Sequence, residues 1–282
     1  MDDSSEQIAA WSAVAAGWER QRPLFWEATR IVSERLVDLL DPTPGETILD
    51  LAAGPGDTGF LALPRVRPGG KLLTTDGAPE MLEAARRRAA ELALGDGEVS
   101  FAVEDAVALS LGDASVDGVL CRWGLMLLAD MGAGASEIAR VLRPGGRAAI
   151  AVWADPAEND WMTAPGRSAV ELGLVERPDP ESPGPFRLSP EGSLRSLLER
   201  AGLEVDVVED VPLTWRAPTL RDWWDVARDT SRSLALILGR ITPAEAEAVR
   251  AGAERKLERY VEPDGTLAVP GLARVALARP QS

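Results

Sequence analysis

The chain has 282 residues, of which 45% are apolar, and a formal net charge of −15. This length suits one large α/β domain with a cap, and the negative charge argues against nucleic acid and anionic membrane surfaces as general partners. The N-terminus is acidic and polar, and no apolar run is long enough to span a bilayer. We therefore predict a cytoplasmic protein without a signal peptide or a transmembrane helix.

The metal-binding and redox residues are scarce. The sequence contains no histidine, and Cys121 is its single cysteine. An intrachain disulfide and a histidine base are excluded, and a conventional zinc site is effectively excluded as well. We predict an enzyme without a metal site.

In chain order, the sequence begins with a helical pattern over residues 7–40, in which Pro23 is predicted to separate two helices. Apolar strands then alternate with helices. The strands are predicted at 47–51, 71–76, 99–103, 116–121 and 147–153, and two of the helices at 79–94 and 130–142. This alternation is typical of a doubly wound parallel sheet.

The pattern changes after the fifth strand. Residues 154–188 are rich in proline, glycine and acids and show no clear period, and residues 212–262 look mostly helical. Between and after them we predict a helix (189–201) and two strands (203–209 and 273–278). We divide the chain into N-terminal helices that are part of a cap (1–44), a cofactor-binding core (45–153), a cap segment (154–188), a core helix and strand (189–211), a helical cap insertion (212–270) and a C-terminal core strand (271–282).

The most informative stretch joins the first strand to a glycine-rich turn. Residues 54–59 read Gly-Pro-Gly-Asp-Thr-Gly and fit the pattern G-x-G-x-x-G, which alone is a weak sign of a dinucleotide. The first strand carries Asp50 near its end, and the second ends in Asp76. Two carboxylates at the carboxyl edge of a parallel sheet favour a nucleotide-like cofactor. A tight turn without any ligand remains the alternative.

Several motifs together resemble one family. The pattern Asp50-x-Ala52-x-Gly54-x-Gly56 is similar to motif I of class I S-adenosylmethionine (SAM) dependent methyltransferases, with Ala52 in place of the usual first glycine. Residues 76–82 look like the second motif of the UbiE-like branch, named for quinone-biosynthesis C-methyltransferases. Residues 104–106, 121–126 and 140–146 complete the pattern, so that the resemblance covers roughly residues 45–153. It implies an α/β fold, a doubly wound seven-stranded Rossmann-like sheet with a mainly helical cap. Pro64 is a second departure from the family pattern, and we expect it to make the helix after motif I short or bent.

The resemblance also implies a site. Asp50 would orient the motif I turn and reach the methionine amino group of SAM, and Asp76 would accept both ribose hydroxyls, because a carboxylate offers only acceptors. Arg122 would either clamp a carboxylate of cofactor or substrate or pair structurally with a nearby acid. Asp105 and Ala106 would bind the adenine, and Met81 or Ala78 would pack near it. The full set of implied cofactor-binding residues is Asp50, Ala52, Gly54, Gly56, Asp76, Gly77, Met81, Asp105, Ala106, Cys121 and Arg122.

Large rings mark a candidate acceptor pocket. Trp123 and Trp153 follow the fourth and fifth strands, where open α/β sheets bind ligands, and Trp161 and Trp223 lie in the predicted cap. We expect these four to line a chamber for a small apolar or aromatic molecule, although the cap rings could instead only anchor the cap. The predicted function is methyl transfer from SAM to that molecule, with the general base and the methylated atom unassigned. An NAD(P)-dependent oxidoreductase and a catalytically silent SAM-fold binding protein remain alternatives.

Overall fold

The computed structural model describes residues 3–95, 97–177, 179 and 184–281, and in the first helix it describes side chains at residues 8, 9 and from 11 onward. The helices are α1 (Asp3–Leu40), α2 (Asp57–Val66), α3 (Pro79–Glu91), α4 (Met131–Val141), α5 (Asp160–Glu171), α6 (Ser193–Arg200), α7 (Leu220–Thr230), α8 (Arg232–Leu238) and α9 (Pro243–Leu257). The strands are β1 (Thr47–Leu51), β2 (Lys71–Asp76), β3 (Val99–Val103), β4 (Val116–Arg122), β5 (Leu142–Trp153), β6 (Leu203–Ala217) and β7 (Leu267–Pro280).

The strands form one mixed sheet in the order β3-β2-β1-β4-β5-β7-β6. β1 to β5 are parallel, and β7 runs antiparallel to both β5 and β6. The central strands are buried on both faces, as the continuous apolar runs of β1 and β5 require. This confirms the predicted seven-stranded, doubly wound sheet, and it brings the carboxyl ends of β1, β2 and β4 to one edge.

The prediction that Pro23 separates two helices is wrong. α1 is continuous through Pro23, which lies on the exposed face of the helix. A proline inside a helix leaves the carbonyl four residues earlier without its donor. Here that carbonyl belongs to Glu19, which is also exposed, so water can satisfy it and the helix need not break.

The C-terminal elements also differ from the predicted bounds. The sequence predicts that β6 ends at residue 209, but it runs to Ala217, so the helical part of the predicted insertion starts only at α7. Within β6, Val211, Leu213 and Trp215 are buried and alternate with exposed residues. This alternation is the period of a strand with one covered face. The prediction of a helical segment from residue 212 did not take it into account. Residues 154–188, where the sequence shows no clear period, contain α5.

α1 connects the core to the C-terminal helices. Gly17 lies so close to α7 that a Cβ there would stand 2.0 Å from the backbone oxygen of Asp229. The Asp229 carboxylate accepts hydrogen bonds from Arg20 and Gln21, and Trp18 donates its indole N–H to Thr230 O at 3.1 Å. α1 therefore lies between the sheet and α7 and covers part of the carboxyl edge. No helix in the described part of the chain is long and apolar enough to cross a membrane.

Candidate functional site

The motif I turn joins β1 to α2 in a backbone conformation that suits glycine. Ala52, Gly54 and Gly56 all have positive φ, at 53°, 55° and 83°. Gly59, in the first turn of α2, is needed for space, because a Cβ there would stand 2.5 Å from Asp50 Oδ2. The turn is therefore built around Asp50, whose Oδ2 accepts the Gly59 N–H at 2.9 Å.

Asp50 is buried, with only 1% of its surface exposed. Burial raises its pKa from 3.8 to about 7, which the Gly59 N–H and the Arg122 guanidinium oppose. The neighbouring carboxylates of Asp76 and Asp57 contribute to this rise. Several charged groups thus converge on this turn, as is common at functional sites.

Asp76, at the end of β2, accepts hydrogen bonds from two loops. Its Oδ2 accepts the Gly54 N–H and its Oδ1 accepts the Ala78 N–H, both at 2.9 Å. Burial raises the pKa of Asp76, and these two hydrogen bonds oppose that shift. A carboxylate has about four acceptor positions, so two bonds leave each oxygen able to accept another donor.

Helix α1 lies over this half of the site. A Cβ on Gly77 would stand 3.2 Å from Ile8 Cγ1, and Val14 and Ala15 pack with Ala78 and Met81 in a small apolar cluster. Met81 is 4% exposed. The predicted adenine neighbours therefore lie beneath α1.

The loop after β3 carries the predicted adenine-site pair. Asp105 Oδ1 accepts the N–H of Val107 at 3.1 Å, and Ala106 is buried beside Gly134 of α4. The preceding residue, Glu104, accepts the Ser110 N–H at 2.8 Å. These bonds shape the loop beyond β3, next to the end of β2.

The end of β4 supplies Cys121 and Arg122. Burial raises the pKa of the Cys121 thiol to about 12, so it is a buried small side chain and not a nucleophile. Arg122 lies partly buried, with its guanidinium 4.6 Å from the centre of the Trp123 ring. Its NH1 donates a long hydrogen bond of 3.3 Å to Thr29 Oγ1 on α1. No carboxylate of the described residues lies within ion-pair distance of it.

A small cavity of about 10 Å³ lies between α1 and the motif I turn. Arg22 of α1 pairs with Asp57 across it, with NH2 2.7 Å from Oδ1, and Arg122 lines another side. Small-molecule sites usually measure roughly 300–1,000 Å³. Admitting a cofactor to this part of the site therefore requires α1 or the turn to shift.

An aromatic cluster covers the carboxyl ends of β4 and β5. Trp123 stacks on Trp153 with ring centres 4.1 Å apart, and Trp161 of α5 stacks on Trp215 of β6 at 4.4 Å. Phe25 of α1 contacts three of these rings edge-on, at 5.4–6.4 Å. Trp123 has a φ of 60°, an uncommon conformation for a bulky residue. We call these five residues the aromatic cluster.

The indole N–H groups of the cluster have few partners. Nε1 of Trp123, Trp161 and Trp215 is buried without a hydrogen-bond acceptor among the residues that the structure describes. Trp223 differs, because its N–H donates to Trp161 O at 3.0 Å. That carbonyl lacks its usual helix donor, since the residue four positions on is Pro165. Trp223 thus reaches the cluster through the backbone of α5.

Sequence reasoning missed Phe25 and Arg22. Trp11, Trp18 and Phe25 are spaced seven residues apart and contact one another in turn along α1. Extending the Trp11–Trp18 spacing by one step would have found Phe25, but the helix break expected at Pro23 hid it. Within the described ranges, no group of three or more Cys, Asp or Glu residues is arranged to hold a metal ion.

Part of this sequence and its fold are shared with known proteins. Residues 48–146 match a family model described as a methyltransferase domain. The chain is 42% identical over 118 residues to the ubiquinone/menaquinone biosynthesis C-methyltransferase UbiE of Acidiphilium cryptum (strain JF-5), covering 42% of this chain and 46% of that protein. It is 37% identical over 150 residues to the nocamycin O-methyltransferase of Saccharothrix syringae, covering 53% of each.

The chain thus spans about half the length of these curated relatives. A solved structure from Bacillus halodurans C-125, described as a candidate methyltransferase, matches 89% of this chain and 99% of its own with a TM-score of 0.59. At 19% identity this likeness concerns the fold. Residues 48–146 therefore resemble a methyltransferase domain, and the seven-stranded fold is that of class I, Rossmann-like methyltransferases.

Proposed function

We propose that this chain transfers a methyl group from SAM to a small apolar or aromatic molecule. The observation that carries the proposal is the pair of carboxylates at the ends of β1 and β2, which are bonded into the glycine turn between β1 and α2. This arrangement presents acceptors and exposed backbone together at the carboxyl edge, where open α/β sheets bind their ligands.

The residues present fit SAM. Asp76 keeps acceptor positions for ribose hydroxyls after bonding Gly54 and Ala78. A Cβ added at Gly54 would have no described heavy atom within 4 Å, apart from its chain neighbours, which leaves this face of the turn open to a ligand. Asp50 lies behind the turn, and the positive methionine amino group would favour its ionised form. The adenine would be surrounded by Asp105, Ala106 and Met81.

The bound cofactor supplies an already activated methyl group, so the protein's task is alignment and exclusion of water. The aromatic cluster suits that task, because its buried rings exclude water from the space over β4 and β5. The single tyrosine is not placed to act as a base. Burial and the neighbouring Asp160 raise the pKa of Tyr260, whose hydroxyl donates to that carboxylate at 2.9 Å.

The acceptor is expected to be a small molecule with a flat ring. The cluster joins rings from α1, α5, β5, β6 and the loop after β4, so a ligand replacing part of this packing would meet ring faces and edges. The two relatives support a small-molecule acceptor, one being named as a C-methyltransferase and the other as an O-methyltransferase.

Calorimetric titration with S-adenosylhomocysteine (SAH) and with NADH tests the proposal. We expect binding of SAH and none of NADH. Asp76→Ala should weaken SAH binding by about 1.5–3 kcal/mol, the range for hydrogen bonds to a charged group. Asp264→Ala is the control, since Asp264 also accepts a backbone N–H, from Thr266, but in an exposed turn. Tighter binding of NADH than of SAH would refute the proposal, and unchanged affinity in Asp76→Ala would remove Asp76 from the site.

A further inference from the structure

Arg122 is a cation without an ion-pair partner among the described residues, in a site rich in paired charges. Arg22, which lines the same small cavity, is paired with Asp57. Arg122 makes one long hydrogen bond, to a hydroxyl, and otherwise lies over the Trp123 ring. A guanidinium has five N–H donors, so most of those of Arg122 have no acceptor in the described part of the protein.

The charged groups around Arg122 come from three elements. Burial lowers the pKa of Arg122, and Asp57 of α2 and Asp50 of β1 both raise it. Arg22 of α1 faces it across the small cavity. Asp57 is already held by Arg22, and Asp50 by the Gly59 N–H. The donors of Arg122 therefore remain free for a ligand.

The neighbouring aromatic cluster also offers donors and lacks acceptors. The buried N–H groups of Trp123, Trp161 and Trp215 have no described partner. Unpaired buried donors are uncommon in folded proteins and call for a reason. A ligand that fits both features carries acceptor oxygens on a flat ring, and a negative charge at the Arg122 end.

The same region has no described side chain suited to remove a proton. Cys121 keeps its proton at neutral pH, and Asp50 lies against the turn with its Oδ2 committed to Gly59. The chain has no histidine. An acceptor with an acidic hydroxyl would not need a base if the site bound it already ionised.

Resting on the proposed function, we propose that Arg122 binds the ionised oxygen of the methyl acceptor, so that the site takes phenols or enols as their anions. Binding as the anion releases the hydroxyl proton to solvent. The methyl group then bonds to that oxygen or to a conjugated carbon, and the sulfur keeps the electron pair of its broken bond. Methylation at carbon ends with loss of the carbon-bound proton to solvent. Both outcomes use one electron-rich anion.

The probe is para-nitrophenol, whose phenolate is yellow, so that its ionisation is read directly by absorbance with and without SAH. In the wild type we expect the apparent pKa of the bound probe to fall by about one unit, which means that phenolate binds about tenfold more tightly than phenol. In Arg122→Met the shift should vanish or reverse, because an apolar site favours the neutral phenol. Nitrobenzene, which cannot ionise, should bind both proteins alike.

Two controls separate this role from others. Arg87→Met removes an exposed arginine that pairs with Glu19 outside the cavity, and it should retain the shift. Thermal unfolding shows whether each variant is folded. If Arg122→Met does not fold, Arg122→Lys replaces it, and because lysine keeps the charge this variant should retain part of the shift.

Calorimetry with SAH on the same samples distinguishes the two proposals. Wild-type protein that fails to bind SAH counts against the proposed function, whereas the probe titration without SAH still decides the role of Arg122. Arg122→Met that loses SAH affinity but keeps the probe shift would assign Arg122 to the cofactor carboxylate and overturn the inference. No binding of para-nitrophenol by the wild type, or a shift unchanged in Arg122→Met, would also overturn it.

Discussion

The two halves of the carboxyl edge are built in different ways. Over β1 and β2, the contacts are short hydrogen bonds from backbone N–H groups of nearby loops to carboxylates, as between Gly54 and Asp76. Over β4 and β5, the contacts are between rings that five separate elements bring together. The first half is fixed by backbone geometry and leaves little freedom in sequence. The second is fixed by packing between side chains that lie far apart in the sequence.

A first way to break this comparison is to remove the titratable group beneath the turn. Asp50 keeps its proton up to a pH of about 7 in the folded chain, whereas an ordinary Asp releases it near 3.8. Between these values the folded state binds more protons than the unfolded state, so this group makes the free energy of unfolding fall as the pH rises. The limit for one proton is about 1.4 kcal/mol per pH unit.

Asp50→Asn should therefore gain stability relative to the wild type as the pH rises from about 4 to about 7, and it should keep that gain above pH 7. Urea unfolding at a series of pH values measures the difference. Asp117→Asn is the matched control. The Thr47 N–H and Arg143 lower the pKa of Asp117, so its contribution is lost at acid pH and the slope has the opposite sign. Parallel pH profiles for Asp50→Asn and the wild type would show that Asp50 is ionised in the folded chain.

The second prediction concerns space in the turn. Gly59→Ala places a Cβ against the Asp50 carboxylate, so the turn must open, at a cost of roughly 1–3 kcal/mol. SAH affinity should fall with it. Gly166→Ala is the control, since Gly166 lies within α5 with no described atom near its Cβ position and should gain roughly 0.5–1 kcal/mol from the helix preference of alanine. Denaturant unfolding and SAH calorimetry measure both variants, and equal behaviour would show that the turn is not rigid.

The difference between backbone geometry and packing also explains how much of each half the sequence predicts. Asp50, Gly54 and Gly59 lie within ten residues, so a local pattern contains the turn and its carboxylate. Phe25 and Trp215 meet only after α1 and β6 have packed on the sheet, and no local pattern reports that contact. The expected break at Pro23 failed because a local rule ignored exposure: a carbonyl that faces water does not need its helix donor.

A third prediction tests whether packing alone holds the aromatic half. Trp223→Phe keeps a ring but leaves the Trp161 carbonyl without a donor, since Pro165 cannot supply one. A lost hydrogen bond in the interior costs about 1–3 kcal/mol when the partner is left unpaired. Trp215→Phe removes an N–H with no described partner and should cost less.

The Pro165→Ala background sharpens that test, because it restores the helix N–H to the Trp161 carbonyl. Trp223→Phe should be less damaging there, and a double-mutant cycle from denaturant unfolding measures the coupling. Equal costs in both backgrounds would mean that ring packing, and not the hydrogen bond, holds Trp223 to α5.

The smallest effect is expected at Ala52, where the family usually has glycine. Its φ of 53° lies in the left-handed region, which costs an alanine roughly 1–2 kcal/mol and a glycine nothing. The greater freedom of glycine in the unfolded chain offsets part of this gain, so Ala52→Gly should stabilise the protein by about 0.5–1 kcal/mol. Ala114 is a matched comparison, because it has a φ of 49° in a turn before β4 and Ala114→Gly should give the same gain. Thermal unfolding measures both. The Ala52 methyl group packs near Gly124, since a Cβ added to Gly124 would stand only 2.5 Å from Ala52 Cβ. A loss of stability in Ala52→Gly, beside a gain in Ala114→Gly, would show that this packing supports the turn.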